Sequence, residues 1–175
     1  GVAEGMQPLA SKAYGASQNG NATPAERIAA YDEIRHIRNK AIRTAIAASV
    51  LLFLFTIATA SFYPALYGYQ GDAAAAGYHA VMLTAAQLIF TGIVRVTNSF
   101  FYAVGKNRYS LFMIYFDPLC LTPAALAVLP HFFGTDGIWL TAVITQFLLN
   151  LVAAGMFVRH NAQMKREQAA LTKGV

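Results

Sequence analysis

Residues 44–71 read TAIAASVLLFLFTIATASFYPALYGYQG, 28 positions without one Asp, Glu, Lys or Arg. Crossing a hydrocarbon core about 30 Å thick takes about 20 helical residues, so this stretch is long enough to span a bilayer. Pro64, near its far end, is expected to stop or kink the helix. The same pattern recurs on the C-terminal side. Ala73 to Val94 is uncharged; Arg95 interrupts, and apolar character resumes to Gly105. Tyr109 to Thr135 is apolar apart from Asp117 and His131, and carries Pro118, Pro123 and Pro130. Gly137 to Val158 is again uncharged. These runs predict full spans over 43–68, 78–104, 109–130 and 137–158. Residues 1–16 read as the end of a further transmembrane helix whose beginning lies upstream. The expected fold is an all-α integral membrane helical bundle, a partial helix plus four transmembrane helices. The runs are too long, and too free of alternation, for strands.

Composition agrees. The chain is 57% hydrophobic and 12% charged over 175 residues, whereas soluble domains carry about a quarter charged residues. So short a soluble domain could not bury this much apolar surface. The net charge of +5 does not point to nucleic acid, because the basic residues lie between apolar runs and form no solvated patch. The lone Cys120 lies within an apolar run and has no partner for an internal disulfide.

Between the partial helix and the first full span, residues 17–42 read as a cytoplasmic loop carrying an amphipathic helix. Thr23 can cap that helix, Pro24 suits its first turn, and Glu26 completes a capping box. Ile28, Ala29, Tyr31, Ile34 and Ile37 make an apolar stripe among charged residues, which fits an interfacial helix or a solvated connector. Residues 159–175 read as a cytoplasmic tail.

The basic residues set the orientation. With 17–42, the 106–108 turn and the tail on one side, 12 of the 13 Lys and Arg residues fall at that side or at the helix ends bordering it; Arg95 is the exception. The other side, 68–77 and 131–136, carries Asp72 and Asp136 and no basic residue. By the positive-inside rule the basic side is cytoplasmic. The chain is thus expected to be multi-pass in the cell (inner or plasma) membrane, with its C-terminus in the cytoplasm.

Four polar residues fall at one depth. Glu4 lies 8 residues from Lys12, Arg95 lies 11 from Lys106, Asp117 lies 9 from Arg108, and Asn150 lies 9 from Arg159. At 1.5 Å per residue these are depths of roughly 12–17 Å, near the middle of the core. A charge there costs about 2.5–3.5 kcal/mol on insertion scales and usually faces a cavity or a partner. Arg95 and Asp117 flank the same tight turn and are expected to pair or to share a cavity, as a structural salt bridge or as part of a substrate or ion pathway. Glu4 is a candidate proton or cation site. Pro118 and Pro123 predict an interrupted helix beside Asp117, lining a cavity or kinked for packing. Gln87, Asn98, Ser99 and Gln146 fit helix-to-helix bonding better than substrate binding, and Gln87 and Asn98 also join the candidate pathway. No Gly-rich phosphate loop is present. His36, His79, His131 and His160 have no metal-ligand spacing, and no nucleophile–base set is suggested. The chain therefore reads as a non-enzyme without a bound cofactor.

Three stretches, in order, resemble the multidrug and toxin extrusion (MATE) family of antiporters. Gly1-Val-Ala-Glu-Gly-Met-Gln-Pro-Leu with Tyr14-Gly15-Ala16 is similar to the end of that family's eighth helix. Asn98-Ser-Phe-Phe-Tyr-Ala-Val-Gly-Lys106 is similar to the end of its tenth. Leu129-Pro130 through Phe133-Gly134 and Asp136-Gly-Ile-Trp139 is similar to the passage from its eleventh to its twelfth. The resemblance implies a fragment of the second of two six-helix lobes, with the N-terminal lobe of the same protein as its missing partner. It implies alternating access driven by Na+ or H+ and export of small organic, often cationic, substrates. Glu4 stands where Gln is common, and Phe116-Asp117 where Arg-Gln is frequent. A lipid-linked precursor flippase of the same broad fold, in which Arg95 would meet a phosphate, and a non-transporting membrane scaffold subunit are the alternatives.

Overall fold

The computed structural model describes residues 1–173 and is all-helical among them; the last two residues of the predicted tail lie outside this range. Helix α1 spans Val2–Ser17, and α2 runs without a break over Pro24–Thr59. The short α3 (Phe62–Leu66) follows, then α4 (Gly71–Ala85), α5 (Gln87–Ala103) and α6 (Asn107–Phe116). A π-helical turn, Asp117–Leu121, joins α6 to α7 (Thr122–Phe133), and α8 occupies Thr135–Lys173.

The start of α2 is the one expected. The Thr23 N–H and hydroxyl both donate to Glu26 Oε2 at 2.8 Å, and the Glu26 N–H donates to Thr23 Oγ1 at 3.3 Å. Beyond that start, α2 is more continuous than expected. The sequence divides a polar helix from a transmembrane one near residue 43, yet both are a single element of 36 residues, about 54 Å long. The reason is local: no Gly or Pro occurs from Ala25 to Thr59, and a change from polar to apolar side chains does not break a backbone ladder. The helix stops at Thr59 because Pro64 lacks the N–H that would bond to the Ala60 carbonyl. Pro64 falls instead in α3.

The predicted span 78–104 is two helices, α4 and α5, meeting at Ala86 with a bend of 42°. Two residues before the break, the Thr84 hydroxyl donates back to the Ala80 carbonyl at 2.8 Å and to that of Val81 at 3.3 Å. Such back-bonding competes with the backbone ladder and bends helices. In the next span the prolines widen the helix without breaking it. The Thr122 N–H bonds to the Asp117 carbonyl, a five-residue step in place of the usual four, and Asn107–Phe133 remains one span.

The polar turns are shorter than the sequence suggests. Gly105, at φ +69°, reverses the chain, and Asn107 already begins α6. Gly134, at φ +57°, ends α7, so Asp136 and Gly137 lie in the first turn of α8. A Cβ on Gly137 would sit 2.5 Å from the Leu129 carbonyl, so only glycine lets these helices approach. Among the described residues, three helices are long and apolar enough to cross a membrane: α2, α6 through α7, and α8. The bent pair α4–α5 makes a fourth if counted as one span.

The chain divides into two compact units. Unit 1 holds Gly1–Ala45, Arg95–Met113 and the chain from Leu151 onward; unit 2 holds Ile46–Val94 and Ile114–Asn150. Unit 1 has a core of large side chains: Tyr31, Ile34, Val96, Phe100, Phe101 and Met113 are each at most 2% exposed. Its elements are also tied by polar bonds. Ser11 Oγ donates to the Ala103 carbonyl at 3.1 Å, Tyr31 Oη to Glu167 Oε2 at 2.8 Å and Arg35 Nη2 to Gln168 Oε1 at 2.7 Å. In unit 2 the buried residues are mostly small, among them Ser49, Ala60, Ala80, Ala85, Thr141 and Thr145, while Leu51, Phe55, Phe62 and Leu66 are exposed.

Candidate functional site

The π turn places Asp117 where α6 gives way to α7, with its carboxylate facing α8. Thr122 Oγ1 donates to Asp117 Oδ1 at 3.0 Å, and Gln146 Nε2 donates to Oδ2 at 2.8 Å. One turn along α8, Asn150 Nδ2 donates to the Gln146 carbonyl at 2.8 Å and to the Phe90 carbonyl of α5 at 3.0 Å. Phe90 and Phe147 meet edge to face at 5.5 Å beside this link. A polar path thus runs from α5 through α8 to the α6–α7 junction, entirely inside unit 2 and among apolar spans.

Hydrogen bonds to a charged group contribute about 1.5–3 kcal/mol each. Two of them are comparable to the cost of placing a carboxylate at membrane depth, about 2.5–3.5 kcal/mol. A carboxylate has about four lone-pair positions, and the two donors leave room for a proton or a cation. π turns inside α-helices often mark functional sites.

The other predicted residues are spread over both units. Asn150 joins Asp117 through Gln146, a residue read from sequence only as a helix-to-helix link. Gln87 is half-buried at the start of α5, and its carbonyl accepts from the Thr91 hydroxyl at 2.9 Å. Asn98 lies in unit 1 and accepts a hydrogen bond from Ser110 Oγ across the α5–α6 turn. Glu4 is exposed on α1. Arg95 is exposed. Arg95 belongs to unit 1 and Asp117 to unit 2; within unit 2 the carboxylate is held by Gln146 and Thr122.

Sequence reasoning passed over a second polar centre, in unit 1. His160 lies just past the apolar run of α8, outside the predicted span, and is 3% exposed. The rings of Phe100 and Phe101 lie edge-on to it at 5.7 and 5.8 Å. Arg38, also buried, stacks its guanidinium on Phe100 at 5.7 Å and on Phe157 at 5.3 Å, and donates to Asn161. Burial, reinforced by the Lys106 and Arg38 charges, pushes the His160 pKa down to about 4. Burial, with the nearby Arg35 charge, also lowers the Arg38 pKa. The stripe Tyr31, Ile34, Arg38 and the spacing of His160 and Met164 were the signal present in the sequence, one helix face on each element.

These features define an all-α protein with several long apolar helices, and so a multi-pass membrane protein. Comparison with family models, with curated proteins and with solved structures finds no match for the chain.

Proposed function

We propose that the chain is part of a secondary active exporter of the MATE type, coupled to Na+ or H+ and working by alternating access on small organic, often cationic, substrates. In this reading the chain supplies most of the second lobe, and the N-terminal lobe completes the cavity. It sits in the cell membrane with the basic side and the C-terminus in the cytoplasm. The three motifs and the charge asymmetry support the reading. The observation that carries it is the Asp117 carboxylate, set in a π turn of an apolar span and bonded to Thr122 and Gln146.

The mechanism rests on how strongly the carboxylate accepts its donors. Ionised, Asp117 accepts from both Thr122 and Gln146 and holds α8 against the α6–α7 junction. A proton on Oδ2 leaves a neutral acid, which accepts from the Gln146 amide more weakly than the carboxylate does. A cation bound to the carboxylate competes with the same donor. Either event loosens the contact between these helices, the kind of bistable contact that alternating access needs. Glu4, Arg95, Gln87 and Asn98 remain pathway candidates along the other helices.

A drug-susceptibility assay on the full-length protein tests this. Asp117→Asn keeps the shape but cannot exchange a proton, and resistance should fall toward the vector control; Glu4→Gln should lower it less. Unchanged resistance in both variants would favour the scaffold reading and overturn the exporter. The exposed Arg95 favours a second reading, a flippase for a lipid-linked precursor, in which its guanidinium meets the phosphate. There Arg95→Ala abolishes lipid translocation in vesicles while drug resistance is absent throughout.

A further inference from the structure

Five elements of unit 1 meet around His160. From α2 come Arg38 and Tyr31, from α1 Tyr14, from α5 the rings of Phe100 and Phe101, and from the α5–α6 turn Lys106; α8 contributes Gln163 and Glu167 beside His160 itself. Polar bonds close the assembly. Gln18 Nε2 donates to Tyr31 Oη at 3.0 Å, Tyr31 Oη to Glu167 Oε2 at 2.8 Å, Gln163 Nε2 to Glu167 Oε1 at 3.0 Å and Lys106 Nζ to Gln163 Oε1 at 3.3 Å. His160 stands apart: its two buried ring nitrogens have no hydrogen-bond partner, and the rings of Phe100 and Phe101 pack beside it.

We propose that this end of unit 1 is a clamp released by acid: α2, the α5–α6 turn and α8 hold together while His160 is neutral and part when it takes a proton. An imidazolium has two N–H donors, and no acceptor faces either nitrogen in the closed arrangement. It would also be the third cation of the group, beside Arg38 and Lys106. The single opposing charge, Glu167, is already engaged by Tyr31 and Gln163. In an opened arrangement water supplies both acceptors and screens the cations, so proton uptake favours opening.

Linkage sets the sign. His160 is held neutral in the closed state, with its pKa depressed to about 4, against about 6.5 for a solvated histidine. Closure is therefore at full strength above pH 6.5 and weakens as pH falls from 6.5 toward 4, by up to about tenfold per pH unit for one proton. The inference goes beyond the transport reading and does not depend on it.

The test uses the whole chain in detergent micelles with Cys120→Ser. Met164, buried on the same wall, is changed to Cys, and its rate of labelling by a neutral maleimide is divided by that of Ala170→Cys, an exposed position on the same helix. The ratio should be flat above pH 6.5 and rise by up to about tenfold per unit below it. His160→Phe keeps the aromatic box and should hold the ratio flat, while Glu167→Gln should retain the rise. A flat ratio with His160 present, or the same rise in His160→Phe, overturns the proposal. Should His160→Phe not fold, NMR of 13C-labelled histidine decides: a His160 midpoint below 6.5 that coincides with the rise in labelling supports the clamp, and a midpoint near 6.5, or one through which labelling stays flat, overturns it.

Discussion

The two units of this chain differ in the largest side chains they bury. In unit 1 the largest fully buried side chains of the molecule gather: Tyr31, Phe100, Phe101, Ile34 and Met113. In unit 2 the buried residues are mainly Ala, Ser and Thr, and the large apolar side chains point outward, with Leu66 79% and Phe55 62% exposed. Unit 1 has the logic of an aqueous core, where burying apolar area supplies the stability. Unit 2 has the logic of lipid, where tails are as apolar as leucine and helices associate through small residues and polar bonds. One pair of helices, α2 and α8, obeys both rules along its length.

The largest test of this contrast is a matched pair of truncations. Phe100→Ala should cost about 3–5 kcal/mol, the usual range for a buried aromatic. Phe55→Ala, on the outward face of unit 2, should stay within about 0.5 kcal/mol. Unfolding in mixed micelles measures both, and equal costs would break the comparison.

Glycine gives a smaller contrast. Gly137→Ala drives a Cβ into the Leu129 backbone and should cost about 1–3 kcal/mol. Gly155→Ala in unit 1, with open space at its Cβ position, should be neutral or stabilise by up to about 1 kcal/mol. Thermal shift of the two variants reads the difference.

The third contrast concerns the polar link of unit 2. Gln146→Leu removes the 2.8 Å donor to Asp117 and should cost about 1–3 kcal/mol. In Asp117→Leu the same change should cost much less, because no carboxylate is left unsatisfied. A double-mutant cycle on the two sites measures that coupling, and additive costs would mean the pair contributes nothing.

Much of the fold was legible in advance. Run length alone located the apolar segments, since the distance across a bilayer is fixed, and the Thr23–Glu26 capping box was readable because its partners are three residues apart. Helix ends were less legible where charge was used as the boundary. Residues 24–43 are charged yet continuous with the apolar half of α2, because backbone continuity depends on Gly and Pro and not on side-chain polarity. The break at Ala86 carries neither residue and left only Thr84 as its sign. For the candidate site, Asp117 and Asn150 stood out as polar groups in apolar runs. Their union through Gln146 depends on which faces of two helices meet, and no periodicity in so uniformly apolar a sequence encodes that. His160 was hidden differently. Beside Arg159 it looks like a solvated tail, and only the packing of α2 against α8 shows it buried.

The claim beneath all of this is that the apolar helices cross a bilayer with the basic residues on one side. Asp72→Cys and Lys106→Cys, each in a Cys120→Ser background, can be labelled with a membrane-impermeant thiol reagent in sealed vesicles of one orientation. The account predicts that one of the two reacts from outside and the other only after the vesicles are opened. Equal reaction of both from the same face would contradict it.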